Sequence, residues 1–271
     1  MAGLARQGLL LLSLQLLAGL TLLAGSASAS GLRVVPAQTE SIQGREKAAA
    51  LAQVDVLGEF AREINQRLRL PEPVNLGFVE CGEANAWYLS DTREVAVCLE
   101  LVDYYYRLLA PYHRREALDE AVASAFSFIV LHELGHALVD VLDLPITGRE
   151  EDAVDQLAVW LLLQESDGDS AVVDAAFSFL ASEPWSESGD GASPGDEHAL
   201  DRQRFFNLLC WVYGSAPEAH ARLIEESALP ARRQAQCPRE YRRLQRSWVR
   251  LLAPALRPTA DPNQSIGRAH V

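Results

Sequence analysis

The chain has 271 residues, 49% of them hydrophobic, enough for one large or two small domains with a sizeable core. Its formal charge of −13 argues against a nucleic-acid partner and against anionic membrane surfaces. That acidity favours solubility or cationic partners and identifies no substrate.

Arg6 precedes an apolar run from Leu9 to Ala24, and the small residues Gly25 to Ser30 follow. This order of charge, apolar stretch and Ala-x-Ala predicts a secretory signal over residues 1–29, cleaved after Ala29, with a secreted or periplasmic product. Cleavage removes Arg6, the leader's one charge, so −13 becomes −14. The alternative, an uncleaved anchor, has a run just short of a comfortable span. No Cys sits near Ala29 to accept a lipid, and no later segment reads as long and apolar enough to cross a bilayer. Stable membrane association after cleavage is therefore not expected.

Export makes the four cysteines informative, because disulfides persist outside the cytoplasm. Three pairings are possible; Cys81–Cys98 and Cys210–Cys237 are favoured, since each pair brackets a compact stretch that can fold back as a hairpin. None of the four has zinc-finger spacing.

From Gly31 to Gln43 the chain reads as extended, and Glu46 to Leu70 as a helix with apolar positions at Leu51, Val54, Leu57, Phe60, Ile64 and Leu68. Pro71 and Pro73 stop it. Short β-type runs follow at Val74–Val79, Ala84–Leu89 and Glu94–Leu99, read as a small antiparallel sheet that brings Cys81 near Cys98. A long apolar helix is predicted from Glu116 to Leu142, ended by Pro145 and Gly148. Thr147-x-x-Glu150 has the form of a capping box opening a helix to about Gln164. Glu183 to Asp196, rich in Ser, Gly, Pro and acids, reads as a surface loop, with a helix start at Ser193-Pro194 leading into Glu197–Tyr213. The rest, punctuated by Pro217, Pro230, Pro238 and Pro254, reads as two or more helices and a polar tail after Arg257. With no internal repeat and no linker, residues 30–271 read as a single α+β, mainly α domain.

The long helix carries His132-Glu133-Leu134-Gly135-His136. Histidines four apart project from one face, so both imidazoles can reach one metal ion. Glu133 lies about 100° round the axis, placed to take a proton from water rather than to join the ligands. Zinc, Zn2+, lowers the pKa of water towards 7, so a carboxylate is a competent catalytic base. His and Glu interrupt the most apolar helix of the chain, and burying them without a partner is costly, which favours a metal over a solvated helix face.

A catalytic zinc takes a third protein ligand, and the next helix offers Glu150, Glu151, Asp152 and Asp155. If Thr147 is the N-cap, Glu150 is occupied by the reciprocal capping bond. Glu151 and Asp155 then share a face, with Glu151 as metal ligand and Asp155 accepting a hydrogen bond from a ligand imidazole. Helix-dipole preference accounts for Glu150 and Asp152 but poorly for Asp155, well inside the helix. A metzincin arrangement is excluded: Val139 and Leu142 stand where Gly and His belong, and the one Met is Met1.

H-E-L-G-H followed by Glu151-Asp152-Ala153-Val154-Asp155 resembles the gluzincin pattern, H-E-x-x-H then E-x-x-x-D. There the later Glu is the third zinc ligand and the Asp orients a histidine. More closely, the chain resembles a family of exported bacterial proteins described as metallopeptidases, a domain of unknown function. That likeness rests on Glu80 to Tyr88, the metal segment through Gln156, Asp196 to Asp201 with Gln203-Arg204, Cys210, Cys237 and Trp248. It implies a compact zincin-like fold, with a small sheet beside the metal helix.

His198, at a helix start after a flexible loop, is a candidate to stabilise the oxyanion of a tetrahedral intermediate, with a cap or surface role as the alternative. Tyr104, Tyr105 and Tyr106 suit packing better than that role. Arg202 and Arg204 are candidates to bind a carboxylate or to ion-pair with the acidic surface, and Glu80 and Asn85 to line a peptide groove beside an edge strand. The expectation is a zinc peptidase with a peptide or protein substrate, using His132, His136 and Glu151 on the metal and Glu133 as base. The alternatives are a metal-stabilised, non-enzymatic binding protein and a zinc hydrolase of non-peptide amides.

Overall fold

The computed structural model describes residues 30–185, 198–226 and 229–258. The predicted signal, most of the loop expected over Glu183–Asp196, the helix start at Ser193-Pro194 and the tail beyond 258 lie outside the described residues.

Four strands form one sheet: β1 (Gly31–Val34), β2 (Pro73–Val79), β3 (Ala86–Leu89) and β4 (Glu94–Cys98), in the order β1-β2-β4-β3. The sheet is mixed, not antiparallel as expected. β3 and β4 form an antiparallel hairpin, but β4 inserts between β3 and β2 and runs parallel to β2, and β1 is parallel to β2. Val95, Val97 and Cys98 on central β4 are fully buried, as a strand covered on both faces requires.

The crossover from β1 to β2 is helical, and the single helix expected over Glu46–Leu70 is two, α1 (Ile42–Val54) and α2 (Val56–Arg67). Asp55 breaks them with a left-handed φ of 50°, a conformation Asp tolerates better than most residues. Its carboxylate accepts from Arg62 Nη1 at 2.6 Å. Only α2 buries an apolar stripe, through Leu57, Ala61 and Ile64.

Helix α3 (Leu99–Leu109) leaves β4 directly, and α4 (Arg115–Val141) runs through the core, buried along most of Ala121–Val139. By length and composition α4 could cross a membrane, contrary to the sequence reading, but 78% of its most apolar window is buried inside the protein. It is the core helix, covered by α3, the sheet, α5 (Glu150–Leu162) and α6 (Gly168–Trp185). α7 (Asp201–Ser215) packs on α6, and α8 (Ala221–Glu226) and α9 (Ala231–Gln234) lead to α10 (Cys237–Leu252), which lies on α7.

Both favoured disulfides are formed. Cys81–Cys98 ties the turn after β2 to the end of β4, and Cys210–Cys237 joins α7 to the start of α10. The second is no hairpin staple; α8 and α9 lie within its loop. Two disulfides are consistent with a location outside the cytoplasm.

Candidate metal centre

The site is built where α4 and α5 cross at unusually close range. Gly135 makes this possible: a Cβ there would lie 2.8 Å from Val154 Cβ, so any larger residue would push the helices apart. With them in contact, His132 and His136 on α4 face Glu151 in the first turn of α5.

His132 Nε2 lies 3.1 Å from Glu151 Oε2, and His136 Nε2 lies 3.2 Å from Glu151 Oε1. One donor atom from each of the three residues falls within 4.8 Å of the others. Tetrahedral zinc with bonds of about 2.0–2.1 Å has ligand-to-ligand edges of roughly 3.3 Å, so these separations suit donors around one ion.

Protonation supports that reading. Asp155 Oδ1 sits 2.7 Å from His132 Nδ1, and Glu150 Oε1 sits 2.7 Å from His136 Nδ1. An ionised carboxylate only accepts, so each histidine carries a proton on Nδ1 and turns Nε2 towards Glu151. In the neutral imidazoles, lone pairs then meet a carboxylate without a proton between them. Among the described residues, the buried His132 Nε2 and Glu151 Oε2 indeed have no hydrogen-bond partner. A cation resolves this conflict, and the donor set, two imidazoles and a carboxylate, fits one such as zinc. Without an ion a second proton would have to meet it: burial opposes one on His136, but Glu151 and Glu150 raise that imidazole to about 9.

The carboxylates are distinct. Burial alone would raise Glu151, but contacts with His132, His136 and His198 hold its carboxyl well below the usual range. Asp155 is buried too, yet the Arg204 guanidinium and His132 hold it at about 2. Arg204 grips both oxygens, Nη2 to Oδ1 at 2.6 Å and Nε to Oδ2 at 2.9 Å, while its own face lies 4.1 Å from the Phe179 ring centroid. Glu133 is pushed up chiefly by burial. Its Oε2 accepts the Tyr88 backbone N–H at 2.8 Å, so edge strand β3 orients it.

His198 reaches the same place, with Nε2 3.0 Å from Glu151 Oε2 and its ring 5.7 Å from that of His132. The structure thus brings His132, Glu133, His136, Glu151, Asp155 and His198 into one site.

Two other expectations do not hold. Thr147 caps nothing: α5 begins at Glu150 after Arg149, and Glu150 supports His136 instead of closing a capping box. Arg204 pairs with buried Asp155, not with the acidic surface. Glu80 Oε2 accepts the Glu40 and Ser41 amides, while Asn85 Oδ1 accepts the adjacent Ala86 N–H. As expected of the tyrosine run, Tyr105 is packed in the core, while Tyr106 donates to Asp119. Sequence reasoning missed the supporting roles of Glu150 and Arg204. For Glu150 the signal was its place one residue before Glu151, and for Arg204 a cation four residues before Leu208, on the apolar face of α7.

A helix pair presents two imidazoles and a carboxylate to one point, with a further glutamate beside it, a group that could hold a metal ion. The chain belongs to the DUF4344 family, described as "Putative metallopeptidase", which matches residues 36–252. Neither a curated protein nor a solved structure matches the chain.

Proposed function

We propose that the protein is an exported zinc-dependent peptidase of compact zincin-like architecture, released by cleavage after Ala29 and comprising one domain from residue 30 onwards. The observation that carries this reading is the pair of contacts from His132 Nε2 and His136 Nε2 to Glu151, each imidazole locked by a carboxylate on Nδ1.

His132, His136 and Glu151 would hold the ion, and Asp155 and Glu150 keep the imidazoles correctly turned towards it. Bound zinc would supply the Lewis acidity that polarises a peptide carbonyl and lets a water be deprotonated near pH 7. Glu133 takes that proton and delivers it to the leaving amine. Its Oε2 is fixed by Tyr88 N–H, which leaves Oε1 for the transfer, and burial makes the carboxyl basic enough to hold the proton between the two events. His198 Nε2, beside Glu151, is positioned to donate to the developing oxyanion. A peptide laid along β3 would meet Glu133 where Tyr88 already holds it.

The test is metal content together with cleavage of a mixed peptide library by the native protein and Glu133→Gln. One zinc per chain and cleavage lost in Glu133→Gln are expected. Bound zinc without Glu133-dependent cleavage of peptides points to a non-enzymatic binding protein or to amides other than peptides, and absence of metal sinks the site.

A further inference from the structure

Formal charge hides an opposite local face. α10 carries Arg239, Arg242, Arg243, Arg246 and Arg250 against a single acid, Glu240. Five positive charges and one negative make the helix +4, so the remainder of a chain at −13 carries −17. Glu240 is committed to Arg233. All five arginines are exposed, and none has a partner among the described residues.

The arrangement follows from the helix's register. Tyr241, Leu244, Trp248 and Leu252 face the core at steps of three and four. Arg239, Arg243, Arg246 and Arg250 take the same steps on the opposite side, a row about 16 Å long. Like charges three and four apart destabilise a helix, and acids at those steps would have relieved the repulsion. None is there.

We propose that this face of α10 docks the protein on an anionic phospholipid surface. Arginine is suited to phosphate, which it binds in a two-pronged fork. The row stands on a convex helix, and a flat array of phosphates can meet all of it at once. The aromatic rings of α10, Tyr241 and Trp248, are buried, so the helix offers no ring on which a base or sugar could stack, unlike single-stranded nucleic-acid surfaces. Exposed charges farther apart than about 10 Å are largely screened, so the local +4 weighs more at this face than the net charge of the chain. With no aromatic on this face to insert, attachment is electrostatic and reversible by salt.

Each arginine at such a surface contributes roughly a fivefold factor in affinity, the equivalent of about 1 kcal/mol. The test is co-sedimentation of the purified protein with vesicles of phosphatidylcholine alone, or mixed two to one with phosphatidylglycerol, beside R239Q/R243Q/R246Q/R250Q. Binding only to the mixed vesicles, weakened by salt and reduced several hundredfold in the variant at a melting temperature no lower than that of the native protein, is expected. Absence of binding to the mixed vesicles, equal binding to both vesicles, or equal binding by the variant overturns the proposal. So does binding to soluble dextran sulfate without binding to vesicles, which assigns the face to an acidic glycan.

Discussion

Replacing Gly135 with alanine adds one methyl group at the closest approach of α4 and α5. Its Cβ would stand 2.8 Å from Val154 Cβ and 2.9 Å from Val154 Cγ1, where carbons at rest keep about 3.5–4.0 Å. The helices must therefore part by roughly 1 Å. Overpacking of this kind costs about 1–3 kcal/mol, and the better helix propensity of alanine returns about 1 kcal/mol, so the net loss of stability is about 0–2 kcal/mol. The effect on the site is larger, because Glu151 lies on the same helix as Val154, one turn earlier. Contacts of 3.1 and 3.2 Å to the two histidines would open towards 4 Å, against a tolerance of about 0.2 Å in metal–ligand bonds. Gly135→Ala is expected to lower zinc affinity at least tenfold while the melting temperature falls by less than about 8 °C. Competition with a chromophoric chelator measures the first and calorimetry the second. Val154→Ala keeps the offending Cβ and should not rescue; Gly135→Ala with Val154→Gly removes it and should. Native zinc affinity in Gly135→Ala alone would refute this account of the helix crossing.

Arg204→Met leaves Asp155 charged and buried without its cation, and should cost about 3–5 kcal/mol in thermal or urea unfolding of the metal-free protein. Glu151→Ala should abolish tight zinc binding, whereas Glu150→Ala, which frees only His136 Nδ1, should weaken it about 10–100-fold by isothermal titration. Equal losses in the two variants would mean that Glu150 is itself a ligand. Replacing Cys210 and Cys237 by serine opens a loop of sequence separation 27 and should cost about 3 kcal/mol in unfolding free energy. Stripping zinc with a chelator should lower the melting temperature on the order of ten degrees, since a ligand at a thousandfold its Kd adds about 4 kcal/mol.

Local periodicity makes α4 legible almost to the residue, Glu116–Leu142 expected and Arg115–Val141 found. The strands are legible as runs, but not their partners. Alternation within β4 says which face is buried and nothing about its insertion beside β2, so short runs joined by turns suggest an antiparallel sheet where the structure has a mixed one. The break at Asp55 escapes because the apolar spacing continues across it while the backbone does not. Helix α6 leaves little one-sided signal in the sequence. Its Val172, Ala175, Ala176, Phe179 and Ala181 are buried amid a nearly continuous apolar run. The meeting of His132, His136, Glu151 and Asp155 is legible because all four lie on helices where spacing determines the face. Glu150 is easily misread because a capping box and a carboxylate beside a histidine use the same residue type, and only the position of the helix start, after Arg149, separates them.

The charges at this site explain why metal and fold should be linked. Glu133, Glu151 and Asp155 are largely removed from water, and Arg204 is the buried cation set against them. Three negative charges and one positive leave two negative, the complement of a divalent ion. Burial raises the Glu133 carboxyl, towards the protonated form in which it cannot act as a base. With the ion bound, Glu133 can remain ionised beside Tyr88 N–H, and the lone pairs of His132 and His136 acquire the partner that Glu151 cannot be. Arg204 acts on a different group. By taking Asp155 to itself, it keeps that carboxylate an acceptor and prevents it from drawing the His132 Nδ1 proton fully away, so an imidazole holding a metal would stay neutral. Ion binding and base strength are thus two consequences of one buried charge balance, which is why losing Arg204 should weaken both.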